Sequence, residues 1–230
     1  MRLKQWVLLG LLSTVSLGAQ SEILEVYRWQ ATPGMANEML TTWRAAKAIH
    51  EKAGAKVYAI QGDIGSDLNP SYLMRWNSEA EWGASKDAMA ASQEWQALWA
   101  KASAEGAAKL QWSMRAVNLD PSVKANSFGD VNVFSLFIWR PAPGKTPDLI
   151  QAFAKSKQIH AALGARVEAY LESFGGVSNL HYSLSFESWS AMAAFNQKLE
   201  RSEEWAKFRA EIDPQNATLI DSFTASQIPL

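Results

Sequence analysis

The stretch WQATPGMANEMLTTWRAAKAIHEKAGAKV, from Trp29 to Val57, decides the fold because it occurs twice. Its second copy, WRPAPGKTPDLIQAFAKSKQIHAALGARV, runs from Trp139 to Val167, so the offset is 139 − 29 = 110 residues. The same offset relates further pairs along the chain, including Asn69/Asn179, Tyr72/Tyr182, Ser78/Ser188, Ser92/Ser202, Glu94/Glu204 and Trp95/Trp205. Repetition without a gap over this length indicates a tandem duplication of one fold unit.

The composition is that of a globular protein. The chain has 230 residues, of which 48% are hydrophobic and 20% are charged, so it can bury a sizeable core. Two units of about 100 residues match the usual size of a domain. The formal net charge is −1 and there is no basic stripe, so we expect no nucleic acid partner. Cysteine is absent, which excludes disulfides, thiolate catalysis and Cys-ligated metals.

The N-terminal residues MRLKQWVLLGLLSTVSLGAQ have the order of a secretory signal peptide. Arg2 and Lys4 come first, an apolar run extends from Trp6 to about Val15, and small residues follow. The run is shorter than the roughly 20 residues of a membrane span. We predict that residues 1–19 form a cleaved signal peptide, that the mature protein is secreted or periplasmic, and that no membrane span remains after cleavage. An uncleaved anchor is the alternative.

The first repeat predicts one strand followed by one long helix. Ile23 to Gln30 is rich in β-branched and aromatic residues and ends at a Thr-Pro-Gly turn, which is typical of a strand. From Met35 to Lys52 the apolar residues recur at helical spacing, and Gly54 ends the helix. His50 belongs to the helix face that packs on the sheet.

The remainder of each unit predicts two more strands, a second helical region and a final strand. In the first unit the strands are Lys56–Gly62, Ser71–Trp76 and Lys109–Asn118, and Ser78 is a good N-cap for the second helix. The predicted order is therefore β-α-β-β-α-β, which is ferredoxin-like. We place unit 1 at residues 21–119 and unit 2 at residues 131–229, joined by a polar linker.

These motifs together resemble the NIPSNAP-type branch of the dimeric α/β-barrel superfamily. The resemblance rests on the Thr-Pro-Gly-Met turn, the helix with AIHEKAGA near its end, YLMRWNS from Tyr72 to Ser78, and SQEW from Ser92 to Trp95. It covers nearly all of the mature chain, twice. It implies an α+β fold in which two ferredoxin-like units pack sheet to sheet into one barrel. Because one chain holds both units, we expect a monomer with an internal pseudo-dimer.

The resemblance also implies a range of activities. Families of this superfamily include monooxygenases, haem-degrading enzymes, haem peroxidases and chlorite dismutases. Neither a proximal haem His nor an Asn-Trp-His monooxygenase set falls at matching positions in this sequence. We therefore predict no cofactor and no metal site from the sequence.

Three histidines are the first candidates for chemistry. His50 and His160 occupy equivalent places near the ends of the two long helices, where a protonated His also interacts with the helix dipole. They are interpreted as packed residues at the helix–sheet seam, with metal or haem ligation as the alternative. His181 differs, because its counterpart is Ser71, and it is the candidate catalytic residue.

Alternation along the strands predicts a ligand pocket inside the barrel, around His181. Its candidate residues are Glu25, Tyr27, Tyr58, Arg75, Glu168, Tyr170, His181, Ser183 and Ser185. An imidazole near a carboxylate and a phenol can perform acid–base work. Arg28 and Arg75 either hold an anionic ligand or pair with Glu25 or Glu168. The many Trp residues favour core packing, with an aromatic box as the alternative.

The sequence leaves three functions open. The leading hypothesis is an exported small-molecule-binding or stress-associated protein whose partner is a small apolar or aromatic molecule. The second is a cofactor-light monooxygenase or isomerase acting on an apolar organic substrate in the barrel cavity. The third is a protein–protein assembly module.

Overall fold

The computed structural model describes residues 21–230, so the predicted signal peptide lies outside the described residues. Unit 1 contains β1 (Ile23–Ala31), α1 (Ala36–Lys52), β2 (Lys56–Gly62), β3 (Pro70–Trp76), α2 (Glu79–Ala91), α3 (Gln93–Glu105) and β4 (Ala108–Asn118). Unit 2 contains β5 (Val133–Pro141), α4 (Thr146–Ala162), β6 (Arg166–Phe174), β7 (Leu180–Phe186), α5 (Trp189–Glu200), α6 (Glu203–Glu211) and β8 (Ala217–Gln227). The second unit repeats the element order of the first.

The strands form one closed antiparallel barrel in the order β1-β3-β2-β8-β5-β7-β6-β4. Pairing of β2 with β8 and of β4 with β6 joins the two units. A single chain therefore closes the barrel. None of the helices in residues 21–230 has the length and apolarity that crossing a membrane requires.

Local signals account for the ends of the helices. The hydroxyl oxygens of Ser78 and Ser188 accept hydrogen bonds from backbone N–H groups in the first turns of α2 and α5, as N-caps do. Gly54 and Gly164 follow α1 and α4 with φ of +98° and +106°, a conformation that glycine adopts without strain. The sequence-predicted bounds of the strands and long helices agree with these elements to within one or two residues.

Side-chain alternation divides the molecule into three cores. Leu24 and Val26 of β1 point into the barrel, where they join a buried cluster that includes Phe134 and Phe223. The outer face of the barrel packs against the helices in two separate clusters, one for each unit. The barrel interior is therefore filled by side chains, whereas a central cavity was expected.

The linker between the units also belongs to the core. Ala125 and Phe128 are buried, and Phe128 packs within the barrel cluster. Its ring contacts Phe134, with centroids 5.2 Å apart. The linker is thus packed against the barrel interior, although its polar composition predicted only a connecting segment.

Candidate functional site

The structure places most of the sequence-predicted pocket residues inside the barrel, but it separates them into two clusters. Those on the interior face are Tyr58, Arg75, Glu168, Tyr170, His181, Ser183 and Ser185. Glu25 and Tyr27 lie on the opposite face of the sheet, because alternation groups them with Ile23 and Trp29 beneath the helices. The expectation that these two residues face the barrel interior is corrected accordingly.

The first interior cluster is centred on Arg75, which is completely buried. Its guanidinium donates hydrogen bonds to Glu22 at 2.6 Å, to Glu168 at 2.9 Å and to the hydroxyl of Tyr170 at 3.0 Å. The guanidinium also lies 4.0 Å from the centroid of the Phe128 ring. Buried charges are tolerated when paired and hydrogen-bonded in this way, so the cluster has the character of a structural network.

The second interior cluster pairs His181 with Glu172. His181 Nε2 lies 2.7 Å from Glu172 Oε1, and both side chains are buried. Glu172 also accepts hydrogen bonds from the backbone N–H groups of Val177 and Asn179 at 2.9 Å. Burial opposes ionisation, but the bonds from His181 and Asn179 hold the pKa of Glu172 below its ordinary value. The expected partners of His181, Glu168 and Tyr170, instead bind Arg75.

A large cavity lies outside the barrel, between the helices of unit 1 and the outer face of their sheet. Its volume is about 880 Å³. Its aromatic lining consists of Tyr27, Trp29, Trp43, Tyr72, Trp76, Trp95 and Trp99. Met39, Met74 and Met89 add flexible apolar walls. The many Trp residues favoured core packing, with an aromatic box as the alternative, and the structure shows that several of them also line a cavity.

His50 lies in the wall of this cavity. Its Nδ1 is 2.9 Å from the hydroxyl oxygen of Tyr72, and its ring centroid is 4.7 Å from that of Trp95. Burial, reinforced by the charge of Lys86, lowers the pKa of His50 to about 4. The imidazole is therefore neutral at neutral pH, and the expected interaction of a protonated His with the helix dipole does not arise.

A polar cluster interrupts the apolar lining of the cavity. Glu25 accepts hydrogen bonds from Trp82 Nε1 and Lys86 Nζ, both at 2.7 Å, and from the Tyr27 hydroxyl at 2.9 Å. Lys86 itself lines the cavity, and 38% of its side chain is exposed. Burial, followed by the adjacent charge of Glu25, raises the pKa of Tyr27, which therefore keeps its proton. The cavity thus presents an ammonium group and a phenol close to an apolar surface.

Unit 2 has the same histidine–tyrosine pair, but the space beside it is filled. His160 Nδ1 lies 2.8 Å from the Tyr182 hydroxyl oxygen, and its ring contacts that of Trp205 at 4.6 Å. Phe195 packs into the corresponding space and is only 2% exposed. At the position equivalent to Phe195 (195 − 110 = 85), unit 1 has Ser85, which lines the cavity. This serine is one difference that leaves space in unit 1, and Leu98 is another, because unit 2 has the buried Phe208 at the equivalent position (208 − 110 = 98).

The sequence contains a signal for this cavity in the differences between its two copies. The two copies differ in polarity at Ser71 against His181, Tyr58 against Glu168 and Arg75 against Ser185. All of those pairs lie inside the barrel. Ser85 against Phe195 and Leu98 against Phe208 are changes from large to small on helix faces, and both unit 1 residues line the cavity between helix and sheet. Within residues 21–230, no group of three or more His, Cys, Asp or Glu residues is placed to hold a metal ion.

Comparison with known proteins identifies the fold. No protein-family model matches the sequence, and a search of curated proteins returned no match. Among solved structures, an anthrone oxidase-like protein is similar over 93% of each chain, with a TM-score of 0.55 and 12% identity. A "putative monooxygenase" from Lactobacillus acidophilus NCFM matches 91% of this chain and 94% of its own, with a TM-score of 0.58 and 9% identity.

A third similar structure is a chlorite dismutase from Candidatus Nitrospira defluvii. It matches 91% of this chain and 92% of its own, with a TM-score of 0.53 and 8% identity. These structures belong to the dimeric α/β-barrel superfamily, and the mixed α+β barrel described above has their fold. At such low identity the likeness establishes the fold alone. The narrower NIPSNAP-like resemblance stays a prediction.

Proposed function

We propose that this protein is an oxygenase that holds a fused-ring aromatic substrate in the unit 1 cavity and oxidises it with O₂, without a metal or an organic cofactor. The observation that carries the proposal is the cavity, with its volume of about 880 Å³, its aromatic walls and the imidazole of His50. Pockets of roughly 300–1,000 Å³ with mainly apolar walls and a few polar groups are typical of sites for small organic molecules.

His50 is the proposed proton acceptor. Its Nδ1 is engaged with Tyr72, so Nε2 is the nitrogen left for a substrate. The proposal takes the tautomer in which Nδ1 donates its proton to the tyrosine oxygen, which leaves a lone pair on Nε2. A pKa of about 4 keeps this lone pair free at neutral pH but makes the base weak. The substrate must therefore have a C–H bond that is acidified by adjacent aromatic rings and a carbonyl group.

The chemistry balances for an aromatic ketone such as anthrone. His50 removes a methylene proton, and the resulting carbanion, delocalised onto the carbonyl oxygen, transfers one electron to O₂. The two radicals combine to form a C–O bond, and the peroxide takes the proton back from the imidazolium. Loss of the second methylene proton with cleavage of the O–O bond gives a new carbonyl and water. One O₂ supplies both oxygen atoms, so no external electron donor is required.

The names of two structural neighbours, an anthrone oxidase-like protein and a "putative monooxygenase", support the choice of reaction. The proposal also includes an origin of the two units by tandem duplication, a NIPSNAP-like ancestry and export through the predicted signal peptide. These three parts rest on the sequence. The cavity by itself equally favours a second candidate, an exported protein that binds an aromatic molecule without turnover.

The test is to incubate the purified mature protein with anthrone in air-saturated buffer, and to record oxygen uptake and the absorbance of anthraquinone. We expect one O₂ consumed for each quinone formed. His50→Gln should lower the rate by about 10²–10⁴-fold, which is the usual contribution of a general base. His160→Gln is the matched control in unit 2 and should retain the wild-type rate.

Two results would overturn the oxygenase proposal. One is a wild-type rate equal to the rate without protein, and the other is an equal loss of activity in the His50 and His160 variants. Binding of anthrone without oxygen uptake would support the binding-protein candidate instead. A Soret band in the absorption spectrum of the active protein would contradict the cofactor-free part of the proposal.

A further inference from the structure

The two units have equivalent, mainly aromatic walls around their histidine–tyrosine pairs. Phe195 contacts two rings of unit 2, those of Phe186 at 5.2 Å and His160 at 5.7 Å between centroids. The equivalents of these two residues in unit 1 are Trp76 and His50, and both line the cavity. Unit 1 therefore has the walls of an aromatic site but lacks the side chain that fills it.

The geometry of Phe195 shows how a ring fits between these walls. Its plane makes an angle of 76° with the His160 ring and of 50° with the Phe186 ring. Edge-to-face and tilted arrangements at these distances are favourable for aromatic rings. Since Ser85 has no ring of its own, a ligand can supply one at the same place.

The polar cluster exists in unit 1 alone. Counterparts of Glu25, Tyr27, Trp82 and Lys86 in unit 2 are Ser135, Phe137, Met192 and Asn196. Lys86 lies one residue beyond Ser85, and its Nζ is 5.8 Å from the centroid of the Trp76 ring. Its Nζ donates a hydrogen bond to Glu25, while part of the side chain remains accessible. An ammonium group at this place favours a ligand that has an anionic oxygen.

We infer that the unit 1 cavity takes a flat aromatic ligand with an anionic oxygen, that the ligand ring occupies the place which Phe195 fills in unit 2, and that the oxygen binds Lys86. Unit 2 is then permanently occupied by its own side chain, so each chain has one such site. This inference rests on the proposed function, because the enolate oxygen of the oxygenase substrate would be the group that faces Lys86. It concerns binding, however, and is measured without turnover.

The test uses anthracene-9-carboxylate as the probe, with the uncharged 9-anthracenemethanol for comparison. Binding to the full mature protein is followed by the quenching of tryptophan fluorescence. Ser85→Leu and Ser85→Phe introduce side chains of increasing size into the cavity, and the second places the same ring there that Phe195 places in unit 2. Ala84→Phe adds the same ring at an exposed neighbouring position and is the matched control. Circular dichroism and thermal melting show whether each variant is folded.

We expect one bound carboxylate for each wild-type chain. Affinity should fall in Ser85→Leu and fall further in Ser85→Phe, by about tenfold or more, which corresponds to a loss of at least 1.4 kcal/mol. Ala84→Phe should bind as the wild type does. Lys86→Gln should remove the preference for the carboxylate over the alcohol, whereas the exposed Lys101→Gln should retain it.

Wild-type affinity in folded Ser85→Leu and Ser85→Phe variants would overturn the inferred position of the ring. An unchanged preference for the carboxylate in Lys86→Gln would overturn the assignment of Lys86. If the wild-type protein bound neither probe, the inferred ligand class would be wrong. These results are independent of oxygen uptake with anthrone, so failure of the inference is distinguishable from failure of the proposed reaction.

Discussion

Replacement of His160 by glutamine tests whether burial keeps this histidine, which is paired with Tyr182, in its neutral form. His160 is 5% exposed, and its Nδ1 is held by Tyr182. Its Nε2 is buried without a hydrogen-bond partner among the described residues. Glutamine can bind the tyrosine hydroxyl, but it does not titrate. The variant therefore has no titrating group at position 160 but keeps a polar side chain there.

The expected effect follows from the difference between the folded and unfolded chain. Burial lowers the pKa of His160 from 6.5 to about 4, and this lowering corresponds to about 3 kcal/mol. Between these two pH values the unfolded chain binds more protons than the folded chain. The free energy of unfolding must therefore fall as the pH falls from 6.5 towards 4, and this contribution is fully present above pH 6.5.

The assay is urea denaturation of the wild type and of His160→Gln at pH 7 and at pH 4, followed by tryptophan fluorescence. Carboxyl groups titrate in both proteins. The decrease in the free energy of unfolding from pH 7 to pH 4 is therefore compared between the wild type and the variant. The wild type should lose about 3 kcal/mol more than the variant. Equal losses in the two proteins, or an NMR titration of His160 with a midpoint near 6.5, would refute this reasoning.

Further predictions concern the core and the assembly state. Phe195→Ala should lower the free energy of unfolding by about 3–5 kcal/mol, because it leaves a cavity in the unit 2 core, and denaturant melts will measure this loss. Arg75→Met should cost about 3–5 kcal/mol in the same assay, since it leaves the buried Glu22 and Glu168 unpaired. The exposed Arg140→Met should change stability by no more than about 0.5 kcal/mol. The mature protein should elute as a monomer in size-exclusion chromatography at any concentration, and a stable dimer would contradict the self-contained barrel.

The sequence was sufficient to predict the secondary structure and the order of its elements. Alternation along β1 separated Leu24 and Val26 from Glu25 and Tyr27 without reference to the rest of the chain, because strand side chains alternate with a period of two. The spacing of apolar residues in α1 predicted its packing face in the same way. Such local periodicities depend only on backbone geometry, which is why the sequence reveals them.

The same periodicity could not predict whether a given strand face packs in the barrel interior or against the helices. Alternation shows which neighbours share a strand face with Glu25 and with His181, but it does not show which of the two faces points into the barrel. Three carboxylate or phenol residues of β6, the strand that pairs with the strand of His181, alternate onto the same face: Glu168, Tyr170 and Glu172. The structure selects Glu172, because Arg75 arrives from the other unit and binds the first two.

The repeated stretch from Trp29 to Val57 thus indicated the two-unit architecture by its repetition, and it specified a turn and a long helix through short-range spacing. The location of the site depended on how distant elements pack. Ser85 lines a cavity only because α2 and α3 lie over the sheet and leave space beside its small side chain. In unit 2 the phenyl ring of Phe195 fills the equivalent space. A void is a property of all the surfaces around it, so the residue that creates it cannot be recognised from its own sequence neighbourhood.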